Sequence, residues 1–164
     1  MKTLYIVRHA KSSWDHAGLT DFERPLNTRG QHDAPMMGTV LKDLGARPEL
    51  IRCSAANRAL TTARFLAESL AYPPESIDID ASLYGAGPLE ILSVVHNLPE
   101  DVQEVMLVGH NPTMHMVANR MGGFQADNLP TCGIVCIDFN VESWEEVTVS
   151  PGTIRYYEYP KKQH

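Results

Sequence analysis

The chain has 164 residues, 43% hydrophobic and 21% charged, with a net charge of −6, which is the length of one domain (1–164) with room for a buried core. No apolar run approaches the roughly 18 residues a membrane span needs, and the acidic balance gives no general attraction to nucleic acid or anionic membranes. The three cysteines, Cys53, Cys132 and Cys136, are an odd number, which argues against a disulfide framework and for buried, inert thiols.

The first element is a strand, Thr3 to Arg8, short and apolar enough to be buried on both faces. The chain opens into it at once, with no apolar leader, which predicts a cytoplasmic protein. A polar loop follows, Ala10 to Leu26, and Arg24-Pro25-Leu26 leads into a helix capped at Asn27 or Thr28. Ala34, Met37, Val40, Leu41 and Leu44 recur there at helical spacing until Gly45 and Pro48 end the run. A second strand, Leu50 to Ser54, turns at Ala55-Ala56 into a helix from about Asn57 that puts Leu60, Ala63, Leu66 and Leu70 on one face. Ile77 to Asp80 is a candidate third strand, and Pro88 opens a helix that reaches Asn97 before Pro99 stops it.

Val105 to Val108 is the clearest buried strand, and it runs through Gly109-His110-Asn111-Pro112 into another helix. Ile134 to Phe139, Glu145 to Val149 and Thr153 to Tyr159 read as strands and turns. Strands that alternate with helices predict an α/β fold, a mainly parallel sheet covered on both faces. Ligands of such sheets bind at the carboxyl ends of the strands, near a switch point. Three of those ends carry unusual residues: Arg8-His9, Arg58 and His110.

Leu4-Tyr5-Ile6-Val7-Arg8-His9-Ala10 resembles the Arg-His-Gly signature of the histidine phosphatase superfamily, with Ala10 in the place of the glycine. Ser54-Ala55-Ala56-Asn57-Arg58-Ala59 resembles that family's second block, whose Arg binds phosphate, and Val108-Gly109-His110-Asn111-Pro112 resembles the third, which carries the second His. The resemblance spans about residues 1–121, and the short length is nearest to the phosphohistidine phosphatases of the SixA type. It implies a three-layer α/β/α sandwich of the phosphoglycerate mutase-like kind. It also implies a hydrolase that passes a phosphoryl group through a phosphohistidine on His9, with Arg8, Arg58 and His110 as catalytic and phosphate-binding partners. Asn111 and the helix start behind it, with Ser12 from the loop after His9, join them as expected substrate contacts.

Physical chemistry supports those roles. Phosphoryl transfer needs positioning and neutralisation of charge on the equatorial oxygens, and two arginines give fork-shaped, charge-assisted bonds to them. Their charges also disfavour protonation of His9, which has to attack as neutral imidazole. No metal-ligand spacing appears, so neither metal nor cofactor is expected. The bland alternatives are that Arg8 pairs with Asp21 or Glu23 and that Arg58 complements acids on a surface helix. His96 and His115 lack a supporting block and read as structural.

Relatives that cleave phosphate esters carry a carboxylic acid to protonate the leaving oxygen. Directly after the second His this chain has Asn111, and after the third strand it has Ser82-Leu83-Tyr84-Gly85, with Glu90 inside the next helix. A cradle without an acid suits cleavage of a P–N bond, because a protonated phosphohistidine expels neutral imidazole, whose conjugate acid has a pKa near 6.5. The expected substrate is thus phosphohistidine on a protein, such as a histidine phosphotransfer domain, reached through an open cleft. The alternatives are a small-molecule phosphomonoesterase using Glu90 or Tyr84, and a phosphoprotein-binding module without turnover.

Overall fold

The computed structural model describes residues 1–148 and 152–164. Among the described residues six strands form one sheet: β1 (Lys2–Arg8), β2 (Leu50–Ser54), β3 (Asp78–Asp80), β4 (Glu104–Gly109), β5 (Ile134–Phe139) and β6 (Thr153–Glu158). Four helices pack on it: α1 (Thr28–Asp43), α2 (Asn57–Ser69), α3 (Pro88–His96) and α4 (Thr113–Gly122). The strand order is β3-β2-β4-β1-β5-β6. The first four strands in that order pair in parallel, whereas β5 is antiparallel to β1 and β6 antiparallel to β5. Glu145 and Glu146 lie in a single 3-10 turn, Trp144–Glu146, where strand or turn was expected, and Val149 lies outside the described residues.

The alternation of side chains along each strand sorts the core into two layers. Tyr5, Val7, Met106 and Val108 pack with Ala34, Met37 and Leu41 of α1 and Ala59, Ala63 and Leu66 of α2. Leu4, Ile6, Val105 and Leu107 face the other way, against Ile91 and Val95 of α3 and Met114, Val117 and Met121 of α4. This is the three-layer α/β/α sandwich. None of the helices among the described residues is long and apolar enough to cross a membrane. Cys53, Cys132 and Cys136 are free and buried, and burial pushes the thiols of Cys53 and Cys136 up to about 12.

The helix ends are built as the punctuation predicts. Asn27 accepts the Gly30 N–H at the start of α1. At its end the Ala46 N–H reaches the Leu41 carbonyl and the Gly45 N–H the Lys42 carbonyl, a Schellman closure that needs Gly45 at φ +80°.

The layering also fixes where a ligand can bind. The neighbouring strands β1 and β4 run in register, Arg8 beside Gly109. The chain leaves β1 toward α1 on one face and leaves β4 toward α4 on the other. Between two such strands the loops part and open a crevice at their carboxyl ends. The next residues in each chain are His9 and His110.

Candidate active site

The backbone of His9 is clamped on both sides. Its N–H donates to the Gly109 carbonyl at 3.0 Å and its carbonyl accepts the Cys132 N–H at 3.0 Å. The next amide, of Ala10, donates to Thr62 Oγ1 on α2 (2.9 Å), and that hydroxyl donates to the Arg58 carbonyl (2.8 Å). Thr62 therefore ties the end of β1 to the turn of α2 that carries Arg58. His9 is only 7% exposed.

The imidazole of His9 has one polar partner, the Ala10 carbonyl oxygen, 2.7 Å from Nδ1. A carbonyl can only accept, so Nδ1 carries the proton and the lone pair lies on Nε2. Burial pushes the pKa of His9 from 6.5 down to about 3; the Ala10 hydrogen bond opposes this, and His110, Arg58 and Arg8 add to it. The two guanidinium charges act in the expected sense, but removal from water is the larger cause.

The ring of His110 stands 5.2 Å from that of His9. Its Nε2 lies 2.8 Å from Ser54 Oγ, which already accepts the Ala56 N–H. Ser54 is fully buried, so its hydroxyl hydrogen must find an acceptor, and Nε2 supplies one. The proton of His110 then resides on Nδ1, which is buried and without a partner. Burial first, then Arg58 and Arg8, lower its pKa to about 4 against the opposing pull of Asp21. Arg8 is similar: Nη1 donates to the Leu129 carbonyl at 3.0 Å, while Nε is buried with no partner. A buried donor left unpaired costs about 1–3 kcal/mol. The side chains of Arg8 and His110 both lie near enough to His9 to act on its pKa.

Arg58 is engaged differently. Its Nη2 meets Asp21 Oδ2 at 2.9 Å and its Nη1 the Asp21 carbonyl at 2.6 Å. The sequence offered Asp21 only as one possible partner for Arg8; the structure gives it to Arg58. Asp21 also accepts Arg24 Nη1 on Oδ1 (2.8 Å) and the Tyr84 hydroxyl on Oδ2 (2.7 Å). These donors, Tyr84 foremost, hold its carboxyl well below the usual carboxylate range. The ring of Tyr84 sits edge-on to His110 at 5.5 Å and to Phe22 at 5.1 Å.

Two expected substrate contacts have other partners. Ser12 Oγ is hydrogen-bonded to Arg24 Nη2, whose guanidinium lies 3.3 Å under the exposed ring of Trp14. The amide nitrogen of Asn111 donates to Asn128 Oδ1 (2.9 Å) and the Leu129 carbonyl (2.8 Å), and its oxygen accepts the His115 N–H (3.1 Å). That side chain braces the loop after α4 against the start of α4. Glu90 is exposed on the first turn of α3. His115 stacks edge-on to Phe124 and His96 meets the Val147 carbonyl, both within the frame of the protein.

Sequence reading missed Ser54, Thr62, Asp21 and Arg24 as parts of this site. Ser54 and Thr62 stand at a strand end and on the inner face of α2, where only the fold shows what they touch. Asp21 and Arg24 belong to a loop with no periodicity; their one signal is a charge pair three residues apart.

Comparison with known proteins places this geometry in a wider group. Residues 4–83 match the family described as the histidine phosphatase superfamily (branch 1). A crystal structure of an Agrobacterium tumefaciens protein, described as a candidate phosphohistidine phosphatase SixA, superposes with a TM-score of 0.80 at 29% identity, over 97% of this chain and 98% of that one. An uncharacterized chloroplastic protein of Arabidopsis thaliana is 29% identical over 161 residues, 92% of this chain and 72% of its own. An uncharacterized protein of Mycobacterium tuberculosis is 33% identical over 116 residues, 68% of this chain and 67% of its own.

Proposed function

Since this chain belongs to the histidine phosphatase superfamily, we propose that it hydrolyses phosphohistidine on a partner protein through a covalent phosphohistidine on His9. The observation that carries the reading is the state of His9: buried, neutral, with Nδ1–H given to the Ala10 carbonyl, and flanked by the unpaired donors of Arg8 and His110.

In the first step Nε2 of His9 attacks phosphorus and the P–N bond of the substrate breaks, its electron pair staying on the departing ring nitrogen. His9 becomes an N-phosphorylated imidazolium, because Nδ1 keeps its proton. Arg8, Arg58 and Nδ1–H of His110 meet the charge on the transferring oxygens. In the second step water attacks the phosphorus, and His9 leaves as neutral imidazole with its Nδ1–H still on Ala10. Inorganic phosphate is the product. Arginine supplies the positive charge, and the activity is expected to survive chelators.

A macromolecular substrate is supported by the rim of the crevice, where Trp14, Leu19, Phe22 and Tyr84 are all exposed. Apolar side chains grouped around a charged centre suit a protein surface better than a small polar metabolite. A histidine phosphotransfer domain has that character, with the phosphorylated side chain projecting from a folded face. The test compares hydrolysis of phosphohistidine protein, p-nitrophenyl phosphate and a panel of metabolite phosphates, each with wild type and His9→Ala. The reading expects preference for phosphohistidine, an acid-labile phosphoryl adduct on the wild-type chain, and loss of turnover on every substrate in His9→Ala. Retention of turnover in His9→Ala would end it.

A further inference from the structure

The mouth of the crevice holds a fixed carboxylate that the steps above leave without a task. Asp21 is anchored by Tyr84, Arg58 and Arg24 through side-chain bonds of 2.7 to 2.9 Å. Its side chain is nevertheless 49% exposed. Oδ2 takes two of those bonds and Oδ1 only one, so Oδ1 keeps a free lone pair. Through Tyr84 it stands one ring away from His110. Resting on the function just proposed, we propose that Asp21 is the residue that selects a phosphorylated imidazole over a phosphate ester, by accepting the N–H of the substrate's second ring nitrogen.

The chemistry of the leaving group requires such an acceptor. A phosphorylated imidazole carries a proton on its other nitrogen only as the cation. That cation departs as neutral imidazole once the P–N electron pair returns to the ring, whereas the unprotonated form would have to leave as imidazolate. A carboxylate at the second nitrogen holds the proton in place and stabilises the cation. The protein treats its own nucleophile in the same way, since the Ala10 carbonyl holds Nδ1–H of His9 for the departure in the second step. Asp21 is to the substrate ring what Ala10 is to His9.

The same carboxylate works against esters. A phosphate ester brings an anion and no N–H, so it meets Asp21 as a like charge without compensation. Nor does Asp21 replace the missing acid, because donors on both oxygens hold it ionised. It is an acceptor placed where esterases need a donor.

The experiment measures kcat/KM for a phosphohistidine peptide and for p-nitrophenyl phosphate, across pH, in wild type, Asp21→Asn, Asp21→Glu and His9→Ala. In Asp21→Asn the ratio of the two values should fall at least tenfold, and the alkaline limb of the phosphohistidine profile should move to lower pH, because the substrate cation is no longer stabilised. Asp21→Glu, which keeps the charge, should recover part of the ratio. An equal loss on both substrates, or an unchanged ratio and limb, would overturn the inference and leave Asp21 as a brace for Arg58. His9→Ala separates the two readings: loss of both activities keeps the covalent route standing whatever Asp21 does, and retained activity removes that route independently.

Discussion

The proton on Nδ1 of His9 determines how the site responds to acid. The folded protein keeps His9 neutral down to about pH 3 and His110 down to about pH 4, whereas in the unfolded chain both titrate near 6.5. The unfolded state therefore binds more protons throughout that interval. The contribution is fully present above about pH 6.5 and is lost as the pH falls, toward 4 for His110 and toward 3 for His9, at about 1.4 kcal/mol per unit of depression for a fully desolvated group. Urea midpoints measured at pH 7 and pH 5 should fall with the pH, and His110→Asn should flatten the slope. If His9 is the nucleophile, the acid limb of kcat/KM should lie near pH 3, not near 6.5, because its imidazole stays unprotonated through the intervening range. Truncation of Arg58 acts on a different quantity. Arg58→Ala removes two bonds to Asp21 as well as a donor to the transferring group, so kcat on phosphohistidine should fall by roughly 10²–10³, the magnitude of one lost oxyanion donor.

At the scale of elements, α1 positions the loop behind His9 through a glycine. A Cβ on Gly30 would lie 2.2 Å from the Lys11 carbonyl oxygen, which also accepts the Asn27 N–H. That contact is backbone and has no side chain to swing aside. Gly30→Ala should cost about 1–3 kcal/mol by overpacking and, by displacing Lys11, should lower kcat as well. Asn27→Ala removes only the capping bond to Gly30, and its loss should be about 1 kcal/mol with kcat nearly kept. Chemical denaturation alongside steady-state rates separates the two. Much at this scale was legible in sequence. The buried runs of β1 and β4, a cap at Asn27 or Thr28, of which the structure uses Asn27, and the Gly45 stop each rest on local chemistry that the chain carries with it. The antiparallel pairing of β5 was not legible, because an apolar strand such as Ile134–Phe139, buried along nearly its whole length, looks the same whichever way it runs. The partners of Asn111 were not legible for a related reason: an amide next to His110 can face the crevice or the frame, and only the position of Asn128 and Leu129 gives its bonds to the frame.

The whole molecule joins these parts at one edge of the sheet, and an oxyanion should bind there without catalysis. Ligands that bind only the folded state stabilise it by RT ln(1 + [L]/Kd), about 2.7 kcal/mol at a hundredfold excess over Kd. For a domain of this length that amounts to roughly 5–10 °C in Tm. Phosphate or tungstate should raise the melting temperature by about this much in wild type, and by far less when Arg8 is replaced by Ala. Arg8, His9 and His110 could be read as a group because each follows a strand end; Asp21 and Tyr84 join them only through contacts between residues 63 positions apart. The clamp on the His9 backbone has a further consequence. His9 is held by main-chain bonds to Gly109 and Cys132, so its place does not depend on the exposed stretch from Asp15 to Leu19. That stretch is free to vary in length and composition while the chemistry stays the same. A longer insertion there would roof the crevice and favour small ligands over protein surfaces, with none of the bonds that hold the two histidines altered.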